Sequence, residues 1–220
     1  MDYLAEISIQ LQKGNANAVM ELVKAALEAR VSAQRILDDG LSAGMNIVGA
    51  KFKADEVFVP GVMLTARAMN MGLLVLKPFL VDANVQPLGK ACIGTVQGDL
   101  HDIGKNMVKI MMQGKGIEMI DLGVDVAPEA FIEAAIEQDC CLICCSALLS
   151  STLDALKDVI AAADEAGIRK RRKVMVGGLH VTSLYAQHIG ADYYASNAVL
   201  AAELASSYFR GESEGSRSVP

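Results

Sequence analysis

From residue 1 to about residue 85 the apolar positions recur at three- and four-residue spacing. Leu4, Ile7, Ile9 and Leu11 predict a first helix, broken at Gly14-Asn15. Val19, Leu22, Val23, Ala26 and Leu27 predict a second. Ser32 can cap a third, running through Ile36, Leu37, Leu41, Met45, Ile47 and Val48 to about Phe52. Pro60 fits the first turn of a fourth, which carries Val62, Met63, Ala66, Met69, Leu73 and Leu76. Four short-looped helices with one apolar face each predict an antiparallel bundle.

The polar, punctuated stretch 82–89 changes the texture and reads as a linker. The division expected is a helical cap at 1–85, a linker at 86–89 and a second domain at 90–210. Apolar strands are expected at about 91–96, 117–121, 141–146, 173–177 and 192–195. Helices are expected at about 104–115, 128–138, 153–166, 182–189 and 198–209. Strand–helix alternation implies right-handed crossovers and a parallel sheet covered on both faces. The fold class is therefore α/β: a helical-bundle cap followed by a flavodoxin-like, doubly wound five-stranded sheet. The polar tail, 211–220, is expected to be disordered.

Composition narrows the functions. Of 220 residues, 52% are hydrophobic and only 5% aromatic, which suits a core of Ala, Val, Leu, Ile and Met. A net charge of −6 argues against nucleic acid as the main partner. The basic run 169–173 reads as a solvated turn. Met1-Asp2-Tyr3 opens an amphipathic helix rather than a signal peptide, and no apolar stretch reads as a membrane span, so a cytoplasmic protein with reduced cysteines is expected. Cys140, Cys141, Cys144 and Cys145 contain a C-x-x-C spacing, open to zinc or redox chemistry. Their continuous apolar setting favours a buried strand. The methionines at 63, 69, 71, 107, 111 and 112 read as core filling rather than a thioether site.

In doubly wound folds ligands bind outside the carboxyl ends of the strands. There the first strand offers Gly98, Asp99, Leu100 and His101, with Asp102, Ile103 and Gly104 behind them. The third offers Ser146 and Leu148, followed by Ser150, Ser151 and Thr152; the fourth offers Gly177 and Gly178. A histidine two residues after a carboxylate is placed to bind a metal with its tautomer fixed, although a lone histidine is more often a hydrogen-bonded structural residue. His180 either faces a ligand or caps a helix at the surface; His188 reads as structural.

These segments resemble the cobalamin-binding domains with the signature D-x-H-x-x-G, then S-x-L, then G-G. Asp99, His101 and Gly104 match the first, Ser146 and Leu148 the second, Gly177 and Gly178 the third. The gaps are 41 and 28 residues. The front half is similar to the helical cap joined to such domains in methionine synthase and in small corrinoid proteins. The segments Gly44 to Gly49 and Phe58-Val59-Pro60, and the string from Gly94 to Asn106, carry that similarity. The resemblance spans nearly the whole chain and points to the stand-alone methyl-carrying corrinoid proteins.

The resemblance implies a cobalamin or related corrinoid bound base-off, with His101 as lower ligand of cobalt. It implies that Asp99 orients His101 and that Thr152, where methionine synthase has Ser, completes a relay. The nucleotide tail is expected beside Ser146, Leu148, Gly177 and Gly178, with Ser150 and Ala195 nearby, and Tyr193 and Tyr194 helping to close the slot. Phe58 and the start of the fourth helix are expected to shield the upper cobalt face, with the linker as hinge. The implied partners are a substrate-specific methyltransferase (for methanol, methylamines, aryl methyl ethers or betaines), an acceptor methyltransferase acting on tetrahydrofolate or coenzyme M, and a reductive activase. No nucleic acid or membrane partner is expected. The alternatives are a cobalamin-dependent sensor or regulator and the small subunit of an adenosylcobalamin mutase.

Overall fold

A computed structural model describes residues 2–212. The last eight residues of the expected disordered tail, 213–220, lie outside the described residues. The chain divides into two compact units, Met1–Pro87 with Gly114–Gly116, and Leu88–Gln113 with Ile117–Pro220.

The first unit holds α1 (Tyr3–Gln12), α2 (Ala16–Glu28), α3 (Ala33–Arg35), α4 (Ala43–Lys53) and α5 (Val59–Asp82). Asp2 caps α1, Asn15 caps α2 and Ser32 caps α3 by accepting backbone N–H bonds. The expected third helix is not a uniform one. A π-helical turn over Ile36–Ser42 joins α3 to α4. Its buried positions are Ile36, Gly40 and Leu41, and α4 continues the buried face with Gly44, Met45, Val48 and Gly49. Gly40 and Gly44 let α1 come close: a Cβ at either would press on Ile7 or on Leu11 and Ser8. Ile9, Ile47 and Met63, expected in the core, are exposed.

α5 runs past Leu76, through Pro78, to Asp82. The carbonyl that Pro78 leaves without a donor belongs to Leu74, an exposed residue that water can reach. By length and apolar composition α5 could cross a membrane, contrary to the sequence expectation that no stretch would. Its Val62, Thr65, Ala66, Met69, Gly72 and Leu76 are buried in this fold, as in a core helix.

The second unit contains β1 (Gly89–Val96), α6 (Ile103–Gly114), β2 (Ile117–Val126), α7 (Pro128–Glu137), β3 (Leu142–Ser146), α8 (Leu153–Glu165), β4 (Lys173–Gly177), α9 (Ser183–His188), β5 (Tyr193–Ala195) and α10 (Ala198–Phe209). All strands are parallel in the order β2-β1-β3-β4-β5. That is the flavodoxin-like order, whose direction reverses between β1 and β3 and opens a crevice at their carboxyl ends. β2 is five residues longer than its apolar run at 117–121. A bulge near Gly123 lets it rejoin β1, with Val126 opposite Val96.

Cys92, Ile143, Cys145, Val174 and Val176 form one buried face against Phe131, Leu156 and Val159. Cys144 and Cys145 of the cysteine run therefore lie in strand β3, while Cys140 and Cys141 precede it, so the strand begins one residue later than expected. Burial pushes the Cys144 thiol up to about 12 and Cys145 well above its ordinary value, so both stay protonated core residues. Met69, Met107, Met111 and Met112 are also buried.

Candidate functional site

The crevice between β1 and β3 is built around one carboxylate. β1 ends at Val96, and a turn with Gly98 in the left-handed region (φ +81°) swings Asp99 under the strand ends. Asp99 is fully buried. Its Oδ1 accepts from the His101 backbone N–H at 3.0 Å and faces His101 Nδ1 at 2.7 Å. Its Oδ2 accepts from the Leu148 N–H at 2.7 Å, the Leu149 N–H at 3.3 Å and Thr152 Oγ1 at 3.0 Å. Burial alone would raise this carboxyl. The donors from His101, Leu148 and Thr152 outweigh burial and hold it well below the usual carboxylate range.

An ionised Asp99 accepts and cannot donate, so His101 must carry its proton on Nδ1. The other ring nitrogen, Nε2, then carries the lone pair. The imidazole is half-exposed, 51% against 0% for its Asp99 partner. It is thus a basic nitrogen, fixed in direction, on an open surface. Thr95, buried on β1, donates from Oγ1 to the His101 carbonyl at 2.9 Å and pins the residue from the other side.

Thr152 lies at the end of a 3₁₀ turn, Ser150–Thr152, that leads into α8. Its hydroxyl is within 3.0 Å of both Asp99 Oδ2 and the Leu149 carbonyl, and its single proton serves one of them at a time. The structure thus brings Asp99, His101, Leu148 and Thr152 into one network. Ser150 begins the same turn but faces solvent, away from that network. Asp102 accepts from Asn106 Nδ2 and from its backbone N–H, so it serves the first turn of α6.

The glycine pair serves the chain's own packing. A Cβ on Gly178 (φ +142°) would run into the Ala147 carbonyl, and one on Gly177 would stand 2.9 Å from the Ala195 carbonyl. Ala147 N–H donates to the Gly177 carbonyl, and Ser146 pairs with Gly177 across the sheet. Ala195 pairs with Gly177 from the other side and is itself buried. Gly104 is different, since a Cβ there would meet nothing within 4 Å.

Two contributions were missed from sequence, and a third residue was named there without its partner. Asp125, with φ +54°, accepts from the Gly98 N–H at 2.7 Å and donates its own N–H to the Asp99 carbonyl at 3.0 Å. Its signal was a second Asp after a Gly beyond the apolar run of β2. Leu149 contributes only a backbone N–H and left no signal. The third is His180, whose Nδ1 lies 2.6 Å from the Leu148 carbonyl.

Leu100 and Leu179, on the loops after β1 and β4, and Ile103, the first residue of α6, are each exposed by about two thirds or more. Exposed apolar side chains on the loops that carry a directed imidazole suit a broad apolar ligand. Among the described residues no group of three His, Cys, Asp or Glu side chains could cage a bare metal ion. A lone imidazole fits a metal that brings its remaining ligands with it, as a macrocycle does. The residues present fit a corrinoid.

Comparison with known proteins agrees. A family model described as the B12 binding domain matches residues 89–203, and a second of the same description matches residues 3–77. Dimethylamine corrinoid protein 3 of Methanosarcina acetivorans is 46% identical over 82% of this chain and 84% of its own. A solved methanol:cobalamin methyltransferase complex from Methanosarcina barkeri superposes with a TM-score of 0.86 at 27% identity, covering 96% of this chain and 80% of that one. The monomethylamine corrinoid protein of the same organism gives 0.53 at 35% identity over 94% and 98%.

Proposed function

The chain belongs to the B12-binding corrinoid proteins of methyltransferase systems and binds a cobalamin-type cofactor, and on that footing we propose that it is a methyl carrier loaded by one enzyme and unloaded by another. The observation that carries this reading is the half-exposed His101 imidazole held at Nδ1 by the buried Asp99 carboxylate. The cofactor supplies a cobalt that can accept and give up a methyl group; the protein supplies its binding and orientation.

His101 Nε2 is the nitrogen that would hold the cobalt. Asp99 keeps the ring in the tautomer that leaves Nε2 free to coordinate and raises its basicity, as carboxylates behind ligand histidines do. Thr152, Leu148 and Leu149 hold Asp99 charged. Any proton that enters or leaves this group has a short path among His101 Nδ1, Asp99 and Thr152 Oγ1. Leu100, Ile103 and Leu179 would lie along the macrocycle, with Ser146 and the Gly177-Gly178 turn beside its nucleotide tail.

The loading partner on this reading is a substrate-specific methyltransferase, and the relatives favour a methylamine or methanol as donor. The unloading partner acts on tetrahydrofolate or coenzyme M, a reductive activase restores the carrier, and all work in the cytoplasm. Reconstitution with cobalamin, followed by methyl transfer from a panel of donor–methyltransferase pairs, tests the reading. One pair should load the protein, and no loading by any pair would sink it. His101→Ala should change the cobalt spectrum; an unchanged spectrum would remove His101 as ligand.

A further inference from the structure

His180 is exposed, lies outside the signature segments, and is absorbed by nothing in the mechanism above. It follows Gly178 and Leu179 in the turn after β4. Its Nδ1 sits 2.6 Å from the Leu148 carbonyl oxygen. A carbonyl only accepts, so Nδ1 carries the proton and donates.

The accepting carbonyl and the Leu149 N–H are the two ends of one peptide group. That N–H donates to Asp99 Oδ2. Asp99 in turn holds His101 at Nδ1 through its other oxygen. The path is continuous: His180 Nδ1–H, the 148–149 peptide, the Asp99 carboxylate, His101. A donor on one end of a peptide polarises it and strengthens the donor at the other end. The same bond fixes the orientation of the peptide plane, on which the longest contact to Asp99, 3.3 Å, depends.

We infer that His180 is a positioning residue for the cobalt ligand: through the 148–149 peptide and Asp99, the turn after β4 sets how His101 is presented. The inference rests on the reading of His101 as ligand. It ties His101 to the same turn whose Gly178 packs on Ala147, one residue before Leu148.

Two readouts in the intact chain test it. The first needs no cofactor. In His180→Ala the Leu149 amide should exchange with solvent roughly fivefold faster than in the parent, the size of one net hydrogen bond. Amides of β1 and β4 should keep their rates. His180→Asn keeps a side-chain N–H in nearly the place of Nδ1–H and should restore the parent rate.

The second uses protein labelled with ¹⁵N-histidine and loaded with cob(II)alamin. A ¹⁵N ligand splits the electron paramagnetic resonance signal into doublets, whereas the cofactor's own ¹⁴N base gives triplets. The parent should show doublets. In His180→Ala the ratio of histidine-ligated to unligated cobalt should fall roughly fivefold, by the same arithmetic, and His180→Asn should recover it. A parent without doublets overturns the His101 reading and this inference with it. A parent with doublets, and a His180→Ala variant with the same doublets and the same Leu149 exchange, overturns the inference alone.

Discussion

Five donors converge on the two oxygens of Asp99, and only a carboxylate accepts them all. In Asp99→Asn an amide N–H₂ would face two or three of those donors at hydrogen-bond distance. Buried donors without an acceptor cost about 1–3 kcal/mol each, so Asp99→Asn should lower the unfolding free energy of the cofactor-free chain by roughly 3 kcal/mol. Urea unfolding measures it, and a loss below about 1 kcal/mol would mean the donors find water. Thr152→Val removes one donor and leaves four, so its loss should be smaller, about 1 kcal/mol. The Asp–His pair was legible in the sequence because D-x-H places two side chains with chemistry two residues apart. The Leu148 and Leu149 amides were not, because a backbone donor carries no residue signature. His180 was visible only as an unassigned histidine, since its partner is a carbonyl 32 residues away.

At the scale of elements, the length of β2 is the departure that matters most. The expected strand stops at Asp121 because the continuation Leu122-Gly123-Val124-Asp125 breaks the pattern of a buried strand. Asp121 is spent on α6. It accepts from Lys105 Nζ and Lys109 Nζ, both at 2.6 Å, and Lys105 is buried. Burial would raise the Asp121 carboxyl, but the two ammonium groups and the Gly123 N–H lower it from 3.8 to about 2. A depressed acid contributes stability that is present above pH 3.8 and is lost as the pH falls through about 2. After discounting for partial exposure the contribution is about 1 kcal/mol. Urea midpoints taken from pH 5 down to pH 2 should show that loss, and Asp121→Asn should flatten it. The same variant should cost more than 1 kcal/mol at neutral pH, roughly 3, because it strands the Lys105 charge. Equal acid dependence in parent and variant would assign the slope to other carboxylates. The π-helical turn was illegible for a related reason. Periodicity finds a helix but tolerates one extra residue, and Gly40, which lies against Ile7, carries no apolar side chain to mark the buried face.

On the scale of the whole molecule, one chain builds two cores, and the sequence separated them because their periods differ, 3.6 against strand–helix alternation. The alternation and the handedness of crossovers predicted a parallel, doubly wound sheet with its ligand site outside the carboxyl ends of the strands, but the order that puts the crevice between β1 and β3 came from the structure. Its lining could be named only as far as side chains speak. Asp99, His101, Leu148 and Thr152 all belong to the unit that begins at Leu88. A ligand that binds the folded form of this unit stabilises it by mass action, about 2.7 kcal/mol at a hundredfold excess over Kd. The stabilisation should appear where the network is anchored. Hydrogen exchange of the intact chain with and without cobalamin should therefore show the gain in the core amides of β1, β3 and β4, at Cys92, Ile143 and Val174, all fully buried. In His101→Ala the apolar loop residues remain while the directed nitrogen is gone, so the gain should shrink without vanishing. Its complete loss would mean that the imidazole alone holds the cofactor. A gain confined to α1–α5 would place the binding site in the other unit and would remove the crevice at the strand ends from consideration.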